Sequence, residues 1–496
     1  MEKLRARFRA FIEGNKQYPV LIALASGLYP LLYYYNANFT LINSWSQFVF
    51  FVALFLIFPT VIFYLIYFLS RKIDILHKYK NHIFTVLNFS WFGFLLLLIT
   101  KGVKLNFLVV VLILALGLGI VFRNQLQKIL VLQLFLAAFA SLQLVPDIYK
   151  NLTYSDAWRT QPDDIENVVF KKRPNIYVIQ PDGYAGFSAL PTPPYNFDNI
   201  DFESFLENNK FKLYPDFRSN YFSTLTSNSS MFSMKHHYYN TSNKSSNEVH
   251  NSRDHIVGEN PVLSILKNND YKTFLLLHKS YLLVNRPKLA YDYCNIDYSE
   301  LSFFARGFSI DKAIEKELTY LIKGNTTTNN FFFIEQISPG HISSLQSNSS
   351  GIEVERELYL KKLKEANKWL KSTISSIEEN DKNAIIIIVA DHGGFVGLEY
   401  TMETEIKQDN EDLINTVFTT AFAVKWPDGN APNYDGNLKT NVNLFRVLFT
   451  YLSDDTSYLK KLQEDKSYLK VFKGAPFGVY ETIDENGNVV FNRHSN

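Results

Sequence analysis

Residues 384 to 393 read Ala-Ile-Ile-Ile-Ile-Val-Ala-Asp-His-Gly, and no other stretch of the chain restricts its fold as strongly. An apolar run of that length has no polar face to offer water. It belongs in a strand covered on both sides, which implies a mostly parallel sheet between two helical layers. The run stops at Asp391 and His392, two metal-ligating side chain types, followed by Gly393. A second apolar segment, Asn175 to Gln180, stops in the same way at Pro181-Asp182-Gly183. Ligands of open α/β sheets bind at the carboxyl ends of the strands, so two strands here bring acidic groups to one edge, as a metal site requires.

The rest of residues 173–496 alternates between strand and helix patterns. Strands are expected at 174–180, 271–277, 331–336, 384–390 and 417–424. Helices are expected near 200–209, 224–234, 310–323, 352–379 and 440–453. That rhythm is the α/β pattern of a mostly parallel sheet flanked by helices. Ser/Asn-rich stretches at 226–252, 325–330 and 343–350 read as surface loops, candidates for a lid.

Residues 1–149 have a different character. Five apolar segments, at 18–35, 48–69, 83–99, 105–122 and 129–145, approach the roughly 20 residues that a helix needs to cross a bilayer. Lys3, Arg5, Arg7, Arg9 and Lys16 precede the first; Arg71, Lys72, Lys78 and Lys80 follow the second; Arg123 and Lys128 follow the fourth. The alternate connections carry only Lys101 and Lys104. By the positive-inside rule the N-terminus is expected in the cytoplasm, and five spans then carry the following domain across a bacterial inner membrane to the periplasm or exterior. No small-residue cleavage site follows the first span, so a removable signal peptide is not expected. A polar juxtamembrane linker is expected over 150–172, with Trp158 near the membrane surface.

Charge divides at the same boundary. Residues 1–150 hold 14 Lys/Arg against 4 Asp/Glu, leaving 36 against 44 for the remainder. An acidic domain beyond a membrane is a poor binder of nucleic acid, whose affinity rests on Lys and Arg neutralising phosphates. The single cysteine, Cys294, permits no internal disulfide and no Cys-x-x-Cys metal site, so the fold relies on a large core.

A third element of the edge is Ser223-Thr224, opening a helix. A hydroxyl there lies among free backbone N–H groups at the positive end of the helix dipole, a setting that stabilises a phosphorylated oxygen. Thr224 is accordingly a candidate nucleophile, and capping of the helix is its alternative role. His341, just past the strand at 331–336, lies at the same edge by topology, as a candidate phosphate binder or proton donor or as an idle loop residue. His236 and His237 follow the Thr224 helix and are expected to be incidental.

These residues resemble the alkaline phosphatase superfamily, in the sulfatase-like membrane branch that includes lipoteichoic acid synthases and phosphoethanolamine transferases. The resemblance rests on Pro174-Asn-Ile-Tyr-Val-Ile with Asp182-Gly-Tyr, on Asn220-Tyr-x-x-Thr224-x-x-Ser-x-x-Ser, on Asp391-His392-Gly393 and on Val442-Asn-Leu-Phe-Arg446. It spans 173–496, and the five preceding segments match that branch too. It implies that Asp182, Thr224, Asp391 and His392 hold one divalent ion, with Thr224 as nucleophile. The chain lacks the Cys/Ser-x-Pro-x-Arg signature of true sulfatases. Ile337 occupies the place of the aspartate in the Asp-x-x-x-His pair of two-zinc relatives, and only His494 follows His392.

Carboxylate and imidazole ligands suit zinc or manganese. The expected reaction transfers a phospholipid-derived phospho-alcohol headgroup, phosphoethanolamine or phosphoglycerol, through a phosphothreonine to an envelope glycan or lipid. A membrane anchor holds such an enzyme among its lipid substrates. Hydrolysis of a phosphoric ester and a non-catalytic, lipid-sensing regulator are the alternatives.

Overall fold

The computed structural model describes residues 2–240 and 247–494. They form two compact units, 1–154 and 155–496.

In the first unit, four of the described helices are long and apolar enough to cross a membrane: Pro19–Asn38, Trp45–Ser70, Lys80–Lys101 and Leu126–Thr153. The fifth expected span is the helix Leu105–Val121, whose 17 residues rise about 26 Å at 1.5 Å each, short of a bilayer core of about 30 Å. Four helices thus meet the full length of a span, and the fifth expected span is present as this shorter apolar helix. The bundle packs through Ile22, Ala23, Ala25, Phe63, Phe84, Leu126 and Leu130. Inside it the Asn88 and Gln133 amides bond reciprocally, at 2.9 and 3.0 Å, which satisfies polar groups that an apolar surround would penalise.

The second unit is built on a seven-stranded sheet. Its strands are β1 (Ile176–Pro181), β2 (Lys212–Leu213), β3 (Tyr271–Leu277), β4 (Tyr293–Cys294), β5 (Asn329–Gln336), β6 (Ile385–Val389) and β7 (Phe422–Lys425), in the order β2-β7-β6-β1-β5-β3-β4. The five strands from β6 to β4 run parallel, while β7 lies antiparallel to β6 and to β2. Alternation along the central strands divides two cores. Tyr177, Ile179, Ile386 and Ile388 pack on one face with Tyr359, Leu363, Leu370 and Ile374 of the long helix Ile352–Asn380. Ile176, Val178, Ile385, Ile387 and Val389 pack on the other with Leu225, Met231 and Phe232 of the helix Thr224–Ser233 and with the helix Leu444–Ser453. Each such buried aliphatic side chain contributes about 1.5–3 kcal/mol, which explains why the isoleucine run lies at the centre.

Several expectations need correction. The strand expected at 417–424 begins only at Phe422, because the Asn410 side chain caps a helix, Glu411–Phe418, by accepting from the Asp412 N–H at 2.9 Å. The stretch 226–252 is no single surface loop: Thr226 to Ser233 are buried helix, and 241–246 lie outside the described residues. Asn329 and Asn330 belong to β5. The stretch 150–172 is not a free linker, since its first residues continue the helix that ends at Thr153, and Ile165, Val168 and Phe170 are buried in the second unit. Trp158 packs edge-on against His237 and His255 of that unit. A second sheet, β8 (Ser467–Val471), β9 (Gly478–Ile483) and β10 (Val489–Arg493), is an antiparallel meander that the sequence reading did not anticipate.

Candidate metal centre

The sheet brings its carboxyl ends together beside the N-terminus of the Thr224–Ser233 helix. Asp182 follows β1, Asp391 and His392 follow β6, and β1 and β6 are paired neighbours. The ligand atoms of Asp182, Asp391 and His392 all lie within 4.8 Å of one another, and the three residues are buried. His392 Nε2 is 3.5 Å from Asp182 Oδ1 and 3.4 Å from Asp391 Oδ2. Thr224, the first residue of its helix, donates its hydroxyl to Asp182 Oδ1 at 3.1 Å.

Backbone contacts hold these groups in place. The Gly183 N–H donates to Asp391 Oδ1 at 3.1 Å, tying the two ligand-bearing turns to each other. The Tyr359 hydroxyl donates to the Gly183 carbonyl at 2.9 Å and accepts from the Ala185 N–H at 3.0 Å, fastening the Asp182 turn to the long helix. At Gly393 a Cβ would stand 2.1 Å from the Thr416 carbonyl oxygen, so the residue after His392 has no room for a side chain.

The residues fit a divalent cation. His392 Nδ1 lies 2.9 Å from its neighbour's carbonyl, Gly393 O, and donates to it, which keeps Nε2 turned toward the carboxylates as the ligand atom the ring can offer. Asp391 Oδ2 is buried without a hydrogen-bond partner. Burial pushes Asp391 up to about 6; His392 opposes the shift and Asp182 reinforces it. Burial pulls His392 down, but Asp391 and Asp182 outweigh it and its net direction is upward. Two carboxylates crowded onto one imidazole are the arrangement a cation would neutralise.

The other singled-out histidines differ in their placement. The His341 ring centre is 5.8 Å from that of His392, and Phe395 stands against both rings. His341 Nδ1 donates to the Ile342 carbonyl at 2.6 Å, and burial followed by His392 lowers its pKa to about 4. The neutral ring therefore presents Nε2 as a proton acceptor. His236 bonds the Glu464 carbonyl at 2.8 Å and the Tyr221 hydroxyl at 3.2 Å. His237 bonds the Thr226 carbonyl and the Tyr239 N–H, both at 2.9 Å. Both rings are engaged on both nitrogens and offer no ligand atom. Arg446 is also structural: buried, it bonds Asp163 Oδ2 at 2.7 Å and Gln161 Oε1 at 2.8 Å, and so pins the segment expected as a linker.

Two neighbours of the centre carried no signal that the sequence reading used. Tyr359 is one. Glu335, at the end of β5, is fully buried, and its carboxyl is pushed far above the usual range by burial and then by Asp182 and Asp391, with Arg253 opposing.

No family model and no curated protein matches the chain. Among solved structures it is similar to the integral membrane lipooligosaccharide phosphoethanolamine transferase A (EptA) from Neisseria meningitidis, at 13% identity and a TM-score of 0.41 over 87% of this chain and 95% of that one. It is similar to the C-terminal periplasmic domain of EcEptC from Escherichia coli in complex with Zn, at 10% identity and a TM-score of 0.42 over 64% and 93%. It is also similar to the lipoteichoic acid synthase LtaP from Listeria monocytogenes, at 14% identity and a TM-score of 0.41 over 66% and 91%.

Proposed function

We propose that the protein is a metal-dependent transferase that moves a phospho-alcohol headgroup from a membrane phospholipid, by way of a phosphothreonine at Thr224, to a hydroxyl of an envelope glycan or lipid. The observation that carries this reading is the Thr224 hydroxyl, set at a helix N-terminus 3.1 Å from Asp182 within the buried group completed by Asp391 and His392. A zinc or manganese ion held by those three residues with Thr224 would lower the pKa of the hydroxyl and polarise a phosphoryl oxygen.

The chain's own groups divide the work as follows. The Thr224 hydroxyl points its proton at the Asp182 carboxylate. As Oγ bonds to phosphorus, the hydroxyl proton passes to the Asp182 carboxylate, the phosphorus–oxygen bond to diacylglycerol breaks, and the departing oxygen takes up that proton. The first free N–H groups of the Thr224 helix face the phosphothreonine formed. In the second half-reaction an acceptor hydroxyl attacks the same phosphorus, its proton passes to His341 Nε2, and Thr224 Oγ leaves and is reprotonated. The apolar helices of the first unit hold the chain among its lipid donors, with the N-terminus cytoplasmic and the metal centre in the periplasm or outside the cell.

The test is mass spectrometry of the full-length protein in detergent, incubated with zinc or manganese and mixed phospholipids. A headgroup-sized adduct on the Thr224 peptide, absent in Asp391→Ala, is the expected result, and its mass names the donor. Diacylglycerol release with free phospho-alcohol and no transfer to any acceptor would instead assign a hydrolase. Neither adduct nor diacylglycerol from metal-loaded protein would sink both readings in favour of a lipid sensor.

A further inference from the structure

Beneath the Thr224 helix the described residues leave an unusual set of polar groups without partners. Both carboxylate oxygens of Glu335 are buried with no hydrogen bond, as are both amide atoms of Gln180 and both amide atoms of Asn228. All three residues are 0% exposed. Buried amides and carboxylates left unbonded cost several kcal/mol together, a cost that a ligand bound among them would recover.

Their positions converge. Gln180 and Glu335 are direct partners in the parallel β1–β5 pair, so their side chains leave the sheet side by side on one face. That face is the one bearing Val178 and Phe333, which the Thr224 helix covers. The helix is anchored at two points: Thr224 bonds Asp182, and the Phe232 ring meets the Phe333 ring at 5.0 Å between centres. Eight helical residues rise about 12 Å, and the four strand residues from the level of Val178 and Phe333 to Asp182 rise about 13 Å. The helix therefore runs along the strands, and its midpoint, Asn228, stands over the midpoint of that span, the Gln180–Glu335 pair. Asn228 also lies on the stripe of Leu225 and Phe232, three and four residues away, which packs on this face.

We propose that Glu335, Gln180 and Asn228 form a second cation site, distinct from the Asp182–Asp391–His392 group and suited to a hard divalent ion, Mg2+ or Ca2+. The donors are oxygens only: a carboxylate and two amide carbonyls with freedom to turn inward. That set lacks the nitrogen and sulfur that favour zinc, and water completes the shell that hard ions prefer. The charge is compatible, since Asp182 and Asp391 act electrostatically on Glu335 and Arg253, whose Nη2 is also buried without a hydrogen-bond partner, acts in opposition. The site is independent of the reaction proposed above.

The experiment is elemental analysis of full-length protein in detergent, equilibrated with zinc and then with zinc plus millimolar Mg2+ or Ca2+ in separate arms, each followed by a thermal unfolding scan. The expected result is one zinc per chain in both conditions. One additional Mg2+ or Ca2+ appears in one arm only, with a rise in unfolding temperature in that arm. Glu335→Gln should keep the zinc and lose the second ion, and Asn228→Ala should weaken it at least tenfold. If either variant fails to fold, the wild-type stoichiometry and temperature shift decide alone. One ion per chain in every arm, with no shift, overturns the proposal and leaves waters around a protonated Glu335 as the occupants.

Discussion

Gly183→Ala would test the geometry of the metal centre more sharply than removal of any ligand. Gly183 has φ of +67°, and an ideal Cβ there would stand 2.2 Å from the Gly340 carbonyl oxygen and 2.6 Å from its carbon. Left-handed backbone costs an alanine about 1–2 kcal/mol. Relieving the overlap means opening a gap of about 1 Å between two backbone segments, and overpacking of that kind costs about 1–3 kcal/mol. The sum is about 2–5 kcal/mol of destabilisation. The displacement falls on ligands from both sides, because the Gly340 N–H donates to the Asp182 carbonyl at 2.8 Å and the Gly183 N–H holds Asp391. Supporting contacts of this type are worth about 10–100-fold in metal affinity. Competition with a chromophoric zinc chelator and denaturant unfolding of the full-length variant would measure both effects. A variant that binds zinc within threefold of wild type and unfolds at the same denaturant concentration would show that the Asp182 and Gly340 turns are not in contact, and the account of how the centre is held would fail.

Other expectations follow from the same contacts. Thr224→Ala should abolish turnover while leaving zinc within about tenfold of wild-type affinity, because three other ligands remain; loss of folding without loss of rate would contradict its role, and steady-state assay beside chelator titration separates the two. The metal-free protein should lose stability as pH rises through about 6, since Asp391 has a raised folded pKa and its contribution is present only while it is protonated. Zinc should reverse that trend and bind more weakly below about pH 6, as the ligand must deprotonate, and unfolding midpoints from pH 5 to 8 with and without zinc would show it. His236, His237 and His255 are held near 4, 3 and 3, in each case chiefly by burial. Their neutral forms stabilise the fold above pH 6.5, and that contribution should vanish progressively toward pH 3–4, seen as acid unfolding that leaves the four long apolar helices helical by circular dichroism. Arg446→Met should cost about 3–5 kcal/mol by stranding Asp163 and loosening residues 155–172, measurable as faster proteolysis of that segment.

What could be read from the sequence was whatever a local pattern encodes. The isoleucine run dictated a central strand covered on both faces, and the side chains at its end and at the end of Asn175–Gln180 marked the edge at which the structure assembles Asp182, Asp391 and His392. Thr224 was visible because a hydroxyl at a helix start is a local feature. The remaining features arise between distant segments. Nothing near Tyr359 in the chain announces that its hydroxyl serves a glycine 176 positions away. Glu335 reads as an ordinary residue at a strand end until β1 sets Gln180 beside it. The Glu411–Phe418 helix escapes a pattern reading because its Thr416, Val417 and Phe418 run on toward the strand that follows, and only the Asn410 cap at its start marks it as a helix. The β8–β10 meander consists of strands of five or six residues with weak alternation, too short for pattern alone to distinguish from loop.

The burial of the Thr224–Ser233 helix along its whole length sets a rule for traffic at the site. Every residue from Thr224 to Ser233 is buried, so the helix has no free side on which to pivot, and Thr224 has one fixed address at its end. On the proposed reaction, donor and acceptor must use that address in turn, as through a turnstile that admits one visitor at a time. Double-reciprocal plots at several acceptor concentrations would then be parallel lines, and excess acceptor would slow the enzyme by entering before the lipid has delivered its headgroup.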